Sequence, residues 1–177
     1  IIDSLKYIKG MEPLLTYSQI RKEPTQLSML LREVLQTIDF EAVKGVIKVN
    51  SNLDRVNLPD VYIGQSLIGE VFQNVINNAI QAMPDGGTLR IHLAQTNEDA
   101  VRIEIEDTGI GIPENRRESV FQAGFSTKRD GKGLGLWFSK AVVEYHEGEI
   151  FFESREGAGT TFVIVLPIQR FPEHKTI

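Results

Sequence analysis

Residues 69–83 read GEVFQNVINNAIQAM. With the preceding GQSLI, apolar residues recur at Leu67, Ile68, Val71, Phe72, Val75, Ile76, Ala79 and Met83. This is the three-and-four spacing of a helix that buries one stripe. The pattern predicts a helix from Gly64 to Met83, closed by the turn PDGG. Opposite the stripe stand Glu70, Asn74, Asn78 and Gln81. Four residues advance a helix by about 400°, so positions 70, 74 and 78 stack along one side. A solvated face ordinarily uses Lys, Glu or Arg. Asn is a poor helix former, yet Asn74, Asn77 and Asn78 all occur here. Two readings are open. The face contacts solvent or a neighbouring hairpin, or it presents neutral carbonyl oxygens to Mg²⁺, an ion that keeps several waters and shares phosphate oxygens.

Around this helix the pattern changes repeatedly. LSMLLREVLQTIDFEAVKG (27–45) predicts a second amphipathic helix ending at Gly45, after a linker RKEPT (21–25). VIKVN predicts a short strand. TLRIHLAQ and AVRIEIED alternate with period two on either side of TNED, the signature of a hairpin. A helix is expected from Leu134 to His146, then strands EIFFES and TTFVIVLP joined through GAG. Residues 108–132 lack periodicity. Residues 1–20 carry a near-heptad rhythm at Ile1, Leu5, Ile8 and Met11, interrupted by Gly10 and Pro13. Helices and strands mix without strict alternation, so the fold class expected is an α/β two-layer sandwich.

The 177 residues suffice for one domain with an attached element. A net charge of −5 with no Lys/Arg stripe argues against nucleic acid as a partner. No apolar run approaches the ~20 residues that span a bilayer, so no membrane contact is expected of these residues. Absence of cysteine removes disulfides and thiol chemistry and suits the cytoplasm. The first residue is Ile1, so the chain is expected to be part of a longer protein. His92, His146 and His174 show no metal-ligand spacing and read as structural or solvated.

Three places depart from simple patterning. In VRIEIED, strict alternation puts Asp107 on the apolar face with Val101, Ile103 and Ile105. A carboxylate there needs a donor, either a ligand amine or the local backbone of an Asx turn opening DTG. Residues 131–146, GKGLGLWFSKAVVEYH, set Gly131, Gly133 and Gly135 at the threshold of a helix. They form either a flexible cap or a backbone cradle for phosphate. It is neither a Walker A loop, because Gly133 follows Lys132, nor a Rossmann fingerprint, because the polar STKRDGK precedes it. The aperiodic stretch 108–132 opens with Gly109 and Gly111 and carries Phe121, Phe125, Lys128 and Arg129. Hinges, cations and aromatics of this kind suit a lid over a polyphosphate.

These segments, in this order, resemble the catalytic ATP-binding domain of sensor histidine kinases, within the GHKL superfamily of gyrase, chaperone, histidine kinase and mismatch-repair ATPases. The likeness covers roughly residues 27–167. EVFQNVINNAIQAM resembles the N box, DTGIGIP the G1 box, FQAGFSTK the F box, GKGLGL the G2 box and GAGTTFVIVLP the closing Gly-Thr motif. The resemblance implies a Bergerat fold: a two-layer α/β sandwich with a mixed, mainly antiparallel sheet, helices on one face and an ATP lid. It divides the chain into the end of a dimerisation helix with its linker (1–22), the catalytic domain (23–170) and a C-terminal tail (171–177).

The resemblance also implies roles. Asn78 would ligate Mg²⁺, with Asn74 one turn earlier at the phosphates. Asp107 would accept from the adenine amino group, with Thr160 assisting through water. Gly109 and Gly111 would let the backbone bend under the purine beside Ile112. Phe121, Ser126, Thr127 and Lys128 belong to the F box and lid, Lys128 reaching the terminal phosphate as a catalytic cation. Gly131, Lys132, Gly133, Leu134, Gly135 and Leu136 would bring amides and side chains to the phosphates. Gln81 stands among the phosphate contacts where the family often has Lys.

Position 74 separates subfamilies. Gyrase-like and chaperone ATPases, and serine-directed kinases, carry Glu there, and Glu70 is a further turn back. An amide cannot act as a general base, so weak ATP hydrolysis and transfer to another acceptor are expected. No His fits the family's phosphoacceptor motif. The implied partners are therefore a histidine-bearing dimerisation domain outside these residues, a second copy in a full-length homodimer, and a response-regulator receiver domain. The alternatives are another GHKL ATPase or serine-directed kinase, and a non-catalytic nucleotide-binding scaffold.

Overall fold

The computed structural model describes residues 21–40, 45–97, 99–124 and 133–168. In chain order the elements are β1 (Glu23–Thr25), α1 (Leu27–Thr37), β2 (Ile47–Ser51), β3 (Val61–Ile63), α2 (Gln65–Gln81), β4 (Gly87–Asn97), β5 (Ala100–Asp107), a 3₁₀ helix (Glu114–Ser119), α3 (Gly135–Tyr145), β6 (Glu149–Arg155) and β7 (Gly159–Pro167). The main sheet runs β2-β4-β5-β7-β6, with β2 parallel to β4 and every other pair antiparallel. The expected mixed, mainly antiparallel α/β sandwich is what forms.

Period-two alternation explains the two faces. Along β5, Val101, Ile103, Ile105 and Asp107 are buried, while Arg102, Glu104 and Glu106 face outward. On the outer face Arg90 pairs with Glu106 at 2.6 Å and Arg102 with Glu104 at 2.8 Å; exposed pairs of this kind contribute little to stability. On the inner face the register lines up whole rungs. Leu93, Ile103, Ile164 and Ile150 form one, and Ile91, Ile105, Phe162 and Phe152 the next. The rung after these is Leu89, Asp107, Thr160 and Ser154. Apolar packing therefore gives way to polar side chains at one end of the sheet.

The helices cover that inner face. Ile68, Val71, Phe72, Val75, Ile76, Ala79 and Ile80 of α2 join Leu27, Leu30, Leu31 and Val34 of α1 and Val142 and Val143 of α3 in one core. His146, just beyond α3, is buried and staples the layer together. Its Nε2 accepts from the Gly64 amide at 2.9 Å, so Nδ1 carries the proton and donates to the Val142 carbonyl at 2.8 Å. This ties the end of α3 to the start of α2.

Three local expectations are corrected. The first helix stops at Thr37 and not at Gly45. Thr37 Oγ1 donates back to Val34 O at 2.7 Å, and Ile38 takes extended angles that turn it towards the core. Within the linker RKEPT, Glu23–Thr25 form β1, paired antiparallel with β3. The aperiodic stretch after β5 contains the 3₁₀ turn behind Pro113. Residues 1–20, the expected end of a dimerisation helix, and the tail 171–177 lie outside the described residues.

Candidate functional site

The polar rung opens into a cavity of about 460 Å³, within the range of small-molecule sites. Asp107 and Thr160, direct cross-strand partners, form its floor. Ile110, Ile112, Val120, Leu136 and Phe162 supply apolar walls, and α2 presents Asn78 and Gln81 along one side. Ile110 is 63% exposed, an apolar rim suited to a flat ring.

Asp107 is 3% exposed, and among the described residues no cation pairs with it. Its Oδ1 accepts from the Gly109 amide at 2.8 Å, so the Asx turn is real as well as the inward parity. Burial pushes its carboxyl up to about 6, opposed by the backbone amides of Gly109 and Thr160 and aided by nearby Glu106. A carboxylate held at such a cost in solvation beside an apolar cavity marks a functional site more often than a structural one.

The glycines around Asp107 are required by close backbone approach. A Cβ on Gly109 would collide with the Ala82 carbonyl, which accepts from Ile110 N at 2.9 Å. Gly111 has φ +68°, and a Cβ there would meet the Arg155 carbonyl. Gly111→Ala combines left-handed strain with a clash against backbone. It is expected to lower stability by at least about 2 kcal/mol, measured as a fall in the urea midpoint at unchanged slope.

Asn74 and Asn78 of α2 part company. Asn78 lines the cavity. Asn74, one turn earlier, does not; its Nδ2 donates to the Gly135 carbonyl at 3.4 Å, under the first turn of α3. Leu134 caps that helix, Leu136 enters the cavity wall, and Gly133 takes φ +64°. The Gly124 amide donates to the Gly133 carbonyl at 3.0 Å, bringing those two positions together.

Of the residues expected at a ligand, Asn78, Gln81, Asp107, Gly111, Ile112, Leu136 and Thr160 line one cavity. Asn74, Gly109, Gly133, Leu134 and Gly135 do not line it; Gly109 holds Asp107 through its amide and Gly135 meets Asn74. Phe121 departs from expectation: it packs on Phe152 and Phe162 at 5.8 and 6.3 Å, behind the wall. Its ring is held by these inward-facing aromatics of β6 and β7 and by Lys140, 5.6 Å above it. Ser126, Thr127, Lys128, Gly131 and Lys132 lie outside the described residues.

Besides apolar wall residues such as Ile110, Val120 and Phe162, the sequence reading missed three polar residues. Arg116 and Glu156 line the cavity, and Ser154 supports the floor. Ser154 could have been found, because EIFFES sets it on the same parity as Ile150 and Phe152. Arg116 gave no local signal.

Residues 64–170 match the family described as Histidine kinase-, DNA gyrase B-, and HSP90-like ATPase. Sporulation kinase E of Bacillus subtilis is 34% identical over 157 residues, 88% of this chain and 21% of that protein. The signal transduction histidine-protein kinase AtoS of Escherichia coli is 34% identical over 94% of this chain and 28% of its own length. The chain thus spans about a fifth to a third of the curated relatives it matches. Among solved structures, a mycobacterial sensor histidine kinase, MprB, superposes with a TM-score of 0.70 at 28% identity, covering 85% of this chain and 99% of that one.

Proposed function

The chain belongs to the histidine kinase-, DNA gyrase B- and HSP90-like ATPase family, as a nucleotide-binding catalytic domain of the sensor histidine kinase type, and from that premise we propose that it transfers the γ-phosphoryl group of Mg·ATP to a histidine on a partner helix. The observation that carries the reading is the buried Asp107 carboxylate on the floor of an apolar cavity, held by backbone amides and with no cation beside it among the described residues. A purine suits those walls, and its exocyclic amine would supply a further donor to the carboxylate from the cavity side.

Phosphoryl transfer asks a protein chiefly for positioning and charge neutralisation. Among the described residues no group of three or more His, Asp or Glu could hold a metal ion. Asn78, whose amide oxygen suits a hard cation, would hold Mg²⁺ together with the substrate's own phosphates. Bound there, the ion would neutralise charge on the transferring phosphoryl. Gly133, Leu134 and Gly135 would offer amides at the start of α3, and Lys128 would meet the terminal phosphate. Asn74 engages Gly135 O and, being an amide, provides no base for water. That favours transfer over hydrolysis.

The acceptor is placed on a histidine-bearing dimerisation domain of the same full-length protein, working as a homodimer and passing the group to a response-regulator receiver domain in the cytoplasm. Among the described residues no helix is long and apolar enough to cross a membrane.

The test supplies γ-labelled Mg·ATP with and without a separate histidine-bearing dimerisation domain. Acid-labile, alkali-stable label on that domain with little free phosphate is expected. Brisk phosphate release with no labelled protein would overturn the reading.

A further inference from the structure

Beneath the cavity floor, Ser154 makes three contacts. Its Oγ lies 2.8 Å from the Ile112 amide, 3.0 Å from the Gly159 carbonyl and 2.9 Å from Thr160 Oγ1. An amide can only donate and a carbonyl can only accept. A serine hydroxyl has one proton and two lone pairs. One arrangement satisfies all three contacts. Ser154 accepts from Ile112 N–H, donates its proton to Gly159 O, and takes the Thr160 proton on its second lone pair. If Ser154 instead donated to Thr160, the Gly159 carbonyl would lose this donor.

Thr160 is 5% exposed, faces Asp107 across the strands, and lines the cavity. With its only proton committed to Ser154, its oxygen offers the cavity lone pairs alone. Ionised Asp107 does the same. The floor then accepts hydrogen bonds and donates none.

We infer that Ser154 is a specificity-determining positioning residue: by taking the Thr160 proton it keeps the cavity floor acceptor-only, which selects a purine carrying an exocyclic amine over one carrying a carbonyl at the same carbon. The inference rests on the nucleotide-binding reading above. Ser154 does not line the main cavity and acts through Thr160. Its three partners come from two places in the chain: Ile112 from the segment after β5, and Gly159 and Thr160 from the first two residues of β7. Both the shape of the wall and the polarity of the floor therefore converge on this hydroxyl.

The probes are ADP and inosine diphosphate, which share ribose and phosphates but present an amine and a carbonyl at the purine 6-position. Affinities are measured by calorimetry at pH 7.5 on the whole chain. The parent is expected to prefer ADP. Ser154→Ala frees the Thr160 hydroxyl to rotate and donate to the carbonyl, so the ADP/IDP ratio should shrink roughly five- to tenfold, the size of about one hydrogen bond. Ser154→Thr keeps the hydroxyl and should keep the ratio. In a Thr160→Val background, where no hydroxyl remains to orient, Ser154→Ala should move the ratio no further.

A parallel loss of ADP and IDP affinity in Ser154→Ala, with the ratio intact, would assign Ser154 a structural role only and overturn the inference. If Ser154→Ala does not fold, Ser154→Thr against Thr160→Val carries the same comparison, the first holding the ratio and the second shrinking it. A parent that binds neither diphosphate sinks the nucleotide reading itself, and the inference with it.

Discussion

Asp107→Asn is expected to weaken ADP binding at pH 7.5 by about 30- to 150-fold while reversing the loss of stability that ionising this carboxyl causes as the pH rises from about 4 through about 6. The two effects share one cause. The carboxylate sits 3% exposed with one oxygen on the Gly109 amide and no cation beside it among the described residues. An Asn at 107 would keep its carbonyl on the Gly109 amide and turn its NH₂ towards the cavity. A purine amine would then meet a donor where it needs an acceptor. Loss of a hydrogen bond to a charged group is worth about 2–3 kcal/mol, which gives the fold-change.

The stability effect follows from the titration. Burial raises the folded-state pKa of Asp107 from the ordinary 3.8 to about 6, so the folded state binds the proton more tightly than the unfolded chain. The associated stability is fully present below about pH 4 and is lost as the pH rises through about 6. Asn does not titrate. The stability of Asp107→Asn relative to the parent should therefore rise between pH 4.5 and pH 8, on the order of 2–3 kcal/mol. His146 titrates in the opposite sense, since burial lowers its pKa and acid weakens its bond from Gly64. It is present in both proteins and cancels in the difference. Paired melts across that range decide the matter: a gap independent of pH would mean that Asp107 is not the group titrating.

Asp107 also shows what was legible in the sequence. Alternation in VRIEIED is a property of consecutive residues, and it placed this side chain inward without knowledge of the partner strand. The apolar stripe of α2 was legible for the same reason, though Ile80 also proved buried. What depends on distant pairing was not. Glu23–Thr25 form a strand only because Val61–Ile63 lie alongside, and nothing within RKEPT encodes that neighbour. The end of α1 turned on Thr37 bonding back to Val34 and Ile38 finding the core, whereas the apolar rhythm ran on to Gly45. Phe121 looked like a lid aromatic because it stands between glycines, yet the rings of Phe152 and Phe162 claim it. Asn74 and Asn78 were equivalent by helical spacing. What separates them is Gly135, 61 positions further along the chain.

That separation yields the second large effect. Asn78→Ala is expected to abolish the gain in ATP affinity that Mg²⁺ confers, while changing Mg²⁺-free ADP affinity less than about threefold. Asn78 is half-buried and lines the cavity beside Gln81, with no cation from α2 to take over the phosphates. On the proposed reading its carbonyl oxygen would be a neutral ligand to Mg²⁺, an ion that keeps most of its waters. Alanine removes that donor and leaves the purine floor untouched. Phosphoryl transfer to a histidine-bearing domain should fall at least about 100-fold, because charge on the transferring group goes unneutralised. Asn78→Asp, which restores an oxygen ligand, should recover much of the Mg²⁺ dependence. Asn74→Ala distinguishes metal ligation from helix positioning: losing only its bond to the Gly135 carbonyl, it should weaken nucleotide binding equally with and without Mg²⁺. Calorimetry of ATP and ADP in excess Mg²⁺ and in EDTA separates the two. Equal Mg²⁺ dependence in the parent and Asn78→Ala would remove Asn78 from the metal and move the search to the phosphates' other neighbours, the amides at the start of α3.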